Sequence, residues 1–291
     1  PQSARRRLAA GVTAAPFDRS FGGWAPGRPR TLALVFWLFG GILLAFIAIP
    51  LFGLAALPSG ADLLRVAAEP AVEEAIALSL EAAFLTVACA ALFGVPLAYV
   101  LARGTFPGKG ALAALIDVPL AVPHTVAGIA LLSVFGRRGV LGIPAEALFG
   151  IRFWGTFAGI IAAMLFVSAP YTVSAARIGF EGVDPRLEKV ARTLGLGPWR
   201  TFWRVTLPLA RRSILTGLVL TYARSISEFA AVAILAYYPM TAPIKVYELF
   251  LRVGLGEAAA MAVLLMIVCL ALFILFRQLA YGSGVPAGQG R

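Results

Sequence analysis

Two charged residues lie four positions apart inside an apolar stretch of the sequence. Arg224 and Glu228 fall within TYARSISEFAAVAILAYY, with Ser225 and Ser227 between them. On a helix, this i, i+4 spacing places both charges on one face, where they can pair. A charge inside a membrane costs about 2.5–3.5 kcal/mol on insertion scales, so such residues usually face a partner or a polar cavity. We predict that these four residues line a polar pathway; a neutralised pair that only packs helices is the alternative.

A second polar group interrupts an earlier apolar run. Asp117, His124 and Thr125 lie there beside Pro119 and Pro123. Proline removes an intrahelical hydrogen bond, and the freed carbonyl is tolerated in a membrane only where it lines a cavity or finds a partner. We therefore predict that Asp117 and Thr125 lie near the same pathway. His124, the one histidine of the chain, is interpreted as a hydrogen-bonded helix residue rather than a metal ligand.

The sequence offers no catalytic or metal-binding constellation. Cys89 and Cys269 are far apart, and each lies in an apolar run. The segment GTFPGKG, residues 104–110, is one residue short of a phosphate-binding loop and lacks the Ser or Thr after Lys109. We interpret it as a short turn and expect no catalytic residue, no metal and no cofactor bound by this chain.

Composition indicates which elements must position these residues. Charged residues make up 13% of the chain against about 25% in soluble domains, and 60% are hydrophobic. The net charge of +11 comes from basic residues between apolar runs rather than from one face, which argues against nucleic-acid binding. A membrane helix needs about 20 apolar residues, and six segments qualify. They are residues 32–57, 76–102, 111–135, 154–177, 213–237 and 257–280.

The distribution of Lys and Arg predicts that both termini are cytoplasmic. Most basic residues then lie inside, and the pair Arg137–Arg138 is an exception on the outer side. We expect a flexible cytoplasmic tail at 1–30 that is not a cleaved signal peptide, a six-span membrane domain at 31–282, and a C-terminal tail at 283–291. The chain starts at Pro1 rather than Met, so its true N-terminus is left open.

One polar insert stands out between the fourth and fifth spans. Asp184 and Pro185 suit the start of a helix, and Gly195 suits its end. A second short amphipathic helix is predicted after Gly197-Pro198, with Trp199, Phe202 and Trp203 on its apolar face. The apolar residues of the first helix, spaced at i, i+3, i+4 and i+7, are Leu187, Val190, Ala191 and Leu194. A helix pair lying at the lipid headgroups is one interpretation of this insert.

The order helix, glycine bend, helix and Leu-Pro resembles the cytoplasmic loop of permease subunits of ABC importers. Ala191, Gly195, Leu207 and Pro208 match the family's pattern, and Val205 takes the place of an isoleucine. The family's glutamate position holds Lys189, with Glu188 just before it. The resemblance implies an all-α membrane protein with type I importer architecture and a coupling loop over 179–210. The coupling residues it implies are Leu187, Glu188, Ala191, Leu194, Gly195, Leu207 and Pro208.

A narrower resemblance covers residues 70–280 and is sharpest over 185–250. Glu228 and Phe229 match a Glu-Phe pair of permeases for molybdate, tungstate and sulfate, while Ala230 stands where glycine is usual. The resemblance implies a molybdate/tungstate permease subunit in the cell (inner or plasma) membrane. A permease for sulfate, iron(III) or polyamines, or a secondary transporter, remains an alternative.

The same resemblance implies the partners. ATP and Mg would bind to a separate ATPase dimer, so this chain would not be an enzyme. An extracytoplasmic binding protein would deliver the substrate. A second copy of the chain would complete the pathway, because six spans form half of the usual assembly.

Overall fold

A computed structural model describes residues 30–281, which form helices joined by short turns without any strand. The predicted tails, 1–30 and 283–291, lie outside the described residues except for Arg30, which begins α1. The described residues divide into two compact units between Gly53 and Leu54. The helices are α1 (Arg30–Ala56), α2 (Gly60–Ala67), α3 (Pro70–Cys89), α4 (Val95–Arg103), α5 (Lys109–Ala121), α6 (His124–Phe135), α7 (Gly142–Phe149), α8 (Phe157–Glu181), α9 (Pro185–Thr193), α10 (Pro198–Thr201), α11 (Leu207–Ile226), α12 (Ala230–Leu235), α13 (Ala242–Arg252) and α14 (Leu255–Tyr281).

Within residues 30–281, four helices are long and apolar enough to cross a membrane. They cover 32–56, 70–103, 157–181 and 255–276, and the first has a mean hydropathy of 2.7. The second joins α3 to α4 through a π-helical turn at Ala90–Gly94. These helices confirm the first, second, fourth and sixth predicted spans, since long apolar runs leave few alternatives in a bilayer.

The third predicted span is a broken pair of helices. α5 and α6 meet at an angle of 114° around Val122 and Pro123, and together they pass the same test of length and hydropathy. Proline disfavours a helical conformation in the residue before it, which explains why α5 ends at Ala121. Counting this pair as one span gives five, so the total of six remains a prediction.

The fifth predicted span, 213–237, is wrong as a single continuous helix. α11 begins earlier than predicted, at Leu207, and ends at Ile226; α12 resumes only at Ala230. Ser227, Glu228 and Phe229 lie between them. The predicted polar residues therefore lie at a break in the span rather than along one helix face.

The helices α8 and α11 form the tightest contact of the second unit. A Cβ atom built on Gly217 would lie 2.7 Å from the Cβ of Ala175, and one on Gly179 would lie 2.7 Å from the Cβ of Ser213. Such distances are shorter than van der Waals contact, so only glycine permits this approach. Small residues that let backbones meet are the usual means of helix association in membranes.

Hydroxyl groups complete this contact. Thr172 and Thr221 lie 2.6 Å apart between their Oγ1 atoms, and Ser168 and Ser225 lie 2.8 Å apart between their Oγ atoms. All four side chains are buried. The pairs satisfy groups that would otherwise be unbonded in an apolar interior, so α8 and α11 are tied along much of their length.

Candidate functional site

The insert after α8, residues 184–208, is called here the elbow segment. Its first helix, α9, begins as the sequence predicts: the Asp184 carboxylate accepts a hydrogen bond of 2.8 Å from the Arg186 N–H, and Pro185 occupies the first turn. The cap satisfies a backbone donor that has no partner within the helix. This local sequence therefore fixes the start of α9.

Gly195 ends α9 in the predicted left-handed conformation, with φ of 87°. The Leu196 N–H donates to the Ala191 carbonyl at 3.1 Å, and the Gly195 N–H donates to the Arg192 carbonyl at 3.0 Å. These two bonds form a Schellman motif, which satisfies the last carbonyls of the helix. The chain reverses direction here with a defined geometry.

The second half of the elbow segment differs from the prediction of a separate short helix. α10 passes through a π-helical turn at Phe202–Thr206 directly into α11, so one continuous helical path runs from Pro198 to Ile226. Leu207 and Pro208 lie within this path, directly after the π-helical turn.

Phe202 shares an apolar face with the two tryptophans, as predicted, because its ring centroid lies 6.2 Å from that of Trp199 and 5.5 Å from that of Trp203. It is half-buried, and its ring centroid lies 5.0 Å from that of Tyr99 and 6.1 Å from that of Phe180. Trp199 and Trp203 stay exposed and pack edge to face at 5.8 Å. The sequence pattern did not show that Phe202 packs against the membrane domain while Trp199 and Trp203 stay exposed.

Glu188 anchors the elbow segment to the membrane domain. Its Oε1 atom accepts hydrogen bonds from Nε and Nη2 of Arg103, at 3.1 and 2.9 Å, and from Oγ1 of Thr206, at 2.9 Å. Arg103 also donates to the Val183 carbonyl at 2.8 Å. One carboxylate thus joins the end of α4, the start of the elbow segment and the turn that leads into α11.

The contacts of Glu188 bear on the presence of Lys189 at the position where the resembling loops have glutamate. Glu188 is 8% exposed, whereas Lys189 points outward from α9. The acid one position earlier therefore faces the membrane domain and forms the ion pair. Removing one partner of a buried pair costs about 3–5 kcal/mol, because the remaining charge is left without compensation.

The other face of α9 presents an exposed stripe formed by Leu187, Val190 and Leu194. Leu194 is 76% exposed, and Trp199 beyond the elbow is 72% exposed. Of the predicted apolar set, only Ala191 is buried. Exposed apolar side chains gathered on a rigid segment are typical of a protein interaction surface.

The predicted ion pair forms at the break between α11 and α12. Nη2 of Arg224 donates to Oε2 of Glu228 at 2.6 Å, and Nη1 reaches the Ser227 hydroxyl at 3.4 Å. Oε1 of Glu228 accepts from the Ala231 N–H at 2.9 Å, and the Glu228 side chain is buried. The carboxylate therefore pairs with a cation and also caps the first turn of α12.

His124 joins this pair from the start of α6. Nη2 of Arg224 lies 2.8 Å from its Nε2 atom, and Oε2 of Glu228 lies 3.5 Å from its Nδ1 atom. The interpretation of His124 as a hydrogen-bonded helix residue is confirmed, and so is the expected proximity of the third and fifth spans. Arg224, Ser227, Glu228 and His124 are called here the membrane cluster.

In the described part of the chain, the remaining predicted pathway residues take no part in the hydrogen bonds between the side chains of the membrane cluster. Ser225 is buried between α8 and α11, as described above. Asp117 is exposed on α5 and accepts a long hydrogen bond of 3.4 Å from Ser174. Thr125 is exposed beside His124. The structure thus brings together Arg224, Ser227 and Glu228 but not the full predicted set, and the pathway role of each residue remains a prediction.

These features define a class of protein: an all-α, multi-pass membrane subunit with the architecture of a type I ABC importer permease. A solved bacterial ABC transporter involved in the import of the acidic polysaccharide alginate superposes with a TM-score of 0.70 at 17% identity. The match covers 88% of this chain and 97% of that one. At this level of identity the comparison supports the fold.

The chain belongs to the family described as binding-protein-dependent transport system inner membrane component, whose profile matches residues 90–281. It is 44% identical over 255 residues to the molybdate/tungstate transport system permease protein WtpB of Thermococcus kodakarensis, covering 87% of this chain and 97% of that one. It is 39% identical over 206 residues to the molybdenum transport system permease protein ModB of Escherichia coli K12, covering 69% and 90%. Membership makes the chain a transport subunit rather than an enzyme.

Proposed function

We propose that this chain is the membrane-spanning subunit of an ATP-driven importer that moves molybdate or tungstate into the cell. The main support for an ATP-driven mechanism is the elbow segment, which is anchored to the membrane domain and still exposes an apolar surface. Similarity to molybdate/tungstate permeases over nearly their whole length supports the substrate. Sulfate and iron(III) remain the alternatives to be tested against these oxyanions.

In this proposal, a separate ATPase subunit binds ATP and Mg and docks on the exposed stripe of α9 and on the two tryptophans. The stripe offers apolar side chains that lose contact with water when a partner covers them, which is favourable. The Glu188 anchor and the Gly195 bend keep the segment from deforming when the partner moves. Displacement is then passed to α11 through the helical path that starts at Pro198.

The membrane cluster is the proposed gate of the pathway. It lies where α11 ends, and the break at 227–229 allows the two parts of the span to change their relative angle. Rings of basic side chains favour anions in pores, so Arg224 suits an oxyanion pathway. Glu228 and His124 hold Arg224 in place in the state described here.

The complete transporter would contain two copies of this chain, two ATPase subunits and an extracytoplasmic binding protein. Both termini and the elbow segment would lie on the cytoplasmic side of the cell (inner or plasma) membrane. A solved relative in fold, the alginate transporter, forms a complex with a periplasmic binding protein, which supports the third partner. Substrate selection would then lie mainly with the binding protein.

Reconstitution with the cognate ATPase and binding protein tests the proposal. Uptake of molybdate and tungstate into liposomes should require ATP, and excess sulfate or iron(III) should not compete with it. Uptake driven by an ion gradient without the ATPase would refute the ATP-driven mechanism. If sulfate at equal concentration competed with molybdate uptake, the result would favour sulfate as the substrate.

Variants of the exposed stripe test the docking site separately. Leu194→Asp should weaken binding of the ATPase subunit, because the aspartate places a charge in an apolar interface. Leu148→Asp on α7 is the matched control, since Leu148 is 74% exposed and Leu194 is 76% exposed. Equal ATPase binding by both variants would place the docking surface elsewhere.

A further inference from the structure

A basic pocket lies at the end of α6 opposite to the membrane cluster. It has a volume of about 390 Å³, and its lining includes Arg137, Arg138, Ser133 and Trp154. The guanidinium carbon of Arg137 lies 5.3 Å from the centre of the Trp154 ring, a cation–π contact that holds the side chain in one orientation. This site is called here the outer pocket.

The two arginines of the outer pocket carry uncompensated charge. Within residues 30–281, no carboxylate forms an ion pair with Arg137 or Arg138, and both are exposed. The neighbouring Arg152 differs, because it pairs with Glu146 at 2.6 Å. Both arginines line the same pocket, so an anion bound there would offset their positive charge.

The length of α8 places the outer pocket and the elbow segment on opposite sides of the membrane. Trp154 lies just before α8, and the elbow segment starts just after it. α8 has 25 residues, so it is about 37 Å long at 1.5 Å per residue, enough to cross the hydrocarbon core. Basic residues are normally depleted on the outer side, so membrane topology does not account for Arg137 and Arg138.

We propose that the outer pocket receives an acidic side chain, Asp or Glu, from the surface of the extracytoplasmic binding protein. This proposal rests on the proposed function, which supplies that partner. Guanidinium groups bind planar carboxylates through two parallel hydrogen bonds, and the Trp154 contact orients Arg137 for this geometry. With a volume of about 390 Å³, the pocket is large enough for a whole carboxylate side chain with bridging water.

The outer pocket is physically connected to the gate. The Gly155 N–H donates to the carbonyl of Leu235, the last residue of α12, at 3.2 Å. α6 runs from the pocket to His124 over 12 residues, about 18 Å, and packs closely on α12, since a Cβ on Gly128 would lie 3.0 Å from Cα of Ala231. Docking at the pocket would therefore bias α6, which carries His124, and α12, whose first turn is bonded to Glu228.

Charge reversal tests this assignment in the intact transporter reconstituted in nanodiscs. The Arg137→Glu/Arg138→Glu variant should bind the loaded binding protein at least about tenfold more weakly, because like charges placed in an interface are costly. Its ATPase rate without the binding protein should not change. For the unaltered transporter, affinity should fall as salt concentration rises, since exposed charges are screened.

The matched control exchanges the charges of the neighbouring pair. Glu146→Arg/Arg152→Glu keeps the pair and the local net charge, so it should bind like the unaltered transporter. If charge reversal prevents assembly, Arg137→Gln/Arg138→Gln replaces it, with a smaller loss expected in the same direction.

Three results would overturn the proposal. Unchanged affinity for the binding protein in an assembled variant would show that the pocket does not dock it. Equal losses in the exchanged control would indicate a general effect of the loop. Loss of direct molybdate binding with unchanged binding-protein affinity would assign the pocket to the cargo instead. Failure of the proposed function is distinguishable, because the unaltered transporter would then show no ATP-driven oxyanion uptake.

Discussion

Gly195 provides a test of whether the bend of the elbow segment matters for docking. Its φ of 87° lies in the left-handed region, which L-residues with a Cβ atom rarely adopt. A Cβ built at Gly195 meets no atom within 4 Å. Gly195→Ala therefore strains the backbone without creating a steric clash with the rest of the protein.

The size of the effect follows from the cost of this conformation. For a residue with a Cβ, the left-handed region costs roughly 1–2 kcal/mol, and a β-branched residue such as Val is disfavoured further. Since 1.4 kcal/mol is a factor of ten, the fraction of molecules with the native bend should fall by about 5–30-fold relative to relaxed alternatives. If the ATPase subunit binds only the native bend, its affinity should fall by a similar factor.

Gly197 supplies the matched control. It lies two residues later with φ of −66°, and an added Cβ there also meets no atom within 4 Å. Binding of the ATPase subunit to purified Gly195→Ala, Gly195→Val and Gly197→Ala permeases should show increasing loss for the first two and little change for the third. If Gly195→Val binds and stimulates the ATPase as well as Gly197→Ala does, the bend is not part of the docking surface.

Three further predictions concern the two ion pairs and the break. Arg103→Met should lower the free energy of unfolding by about 3–5 kcal/mol, and the double variant with Glu188→Gln by less, measured by chemical denaturation in detergent; equal losses would contradict a buried pair. Neutralising Arg224 or Glu228 alone should reduce ATP-driven uptake more than neutralising both, whereas additive losses would indicate independent positions. A single cysteine at Ser227, in a background without the native cysteines, should change its labelling rate with a polar thiol reagent when ATP is trapped on the ATPase; an unchanged rate would exclude movement at the break.

The elbow segment was predictable because its geometry is set by neighbouring residues. Asp184 before Pro185 and Gly195 after the last helical turn are local signals, and the observed caps follow from them. The apolar runs of the long spans are also local, since every backbone group in a membrane must be bonded within its own helix or a closed structure. Such features require no knowledge of the tertiary fold.

The break at 227–229 was missed because it depends on a contact that the sequence pattern does not display. The stretch from Ser227 to Ala231 contains neither Pro nor Gly, the usual signals of interruption. The Glu228 carboxylate binds Arg224 and also accepts a hydrogen bond from the Ala231 N–H. It therefore satisfies a backbone donor that the break leaves without a partner at the start of α12. The available signal was Glu228 itself, an acid two residues before the apolar run that starts at Ala230.

The partner of Glu188 was also beyond sequence reasoning. Arg103 is 85 positions away and lies at the end of a different span. Helical periodicity could have indicated that Glu188 and Lys189 point in different directions, but not which of them faces the membrane domain. That choice depends on how α9 rests on α4, which is a tertiary property.

The two ion pairs lie at the two ends of α11, and this arrangement bears on how force could cross the membrane domain. Thr206, bonded to Glu188, directly precedes the helix, and Arg224 lies near its end, about 27 Å away along the helix axis. Between them, Gly217 and Gly179 leave no space between α8 and α11 for compression. Close-packed interiors transmit strain rather than absorb it. A displacement of the elbow segment should therefore move α8 and α11 together, and the first place where the span can yield is the break that contains Glu228.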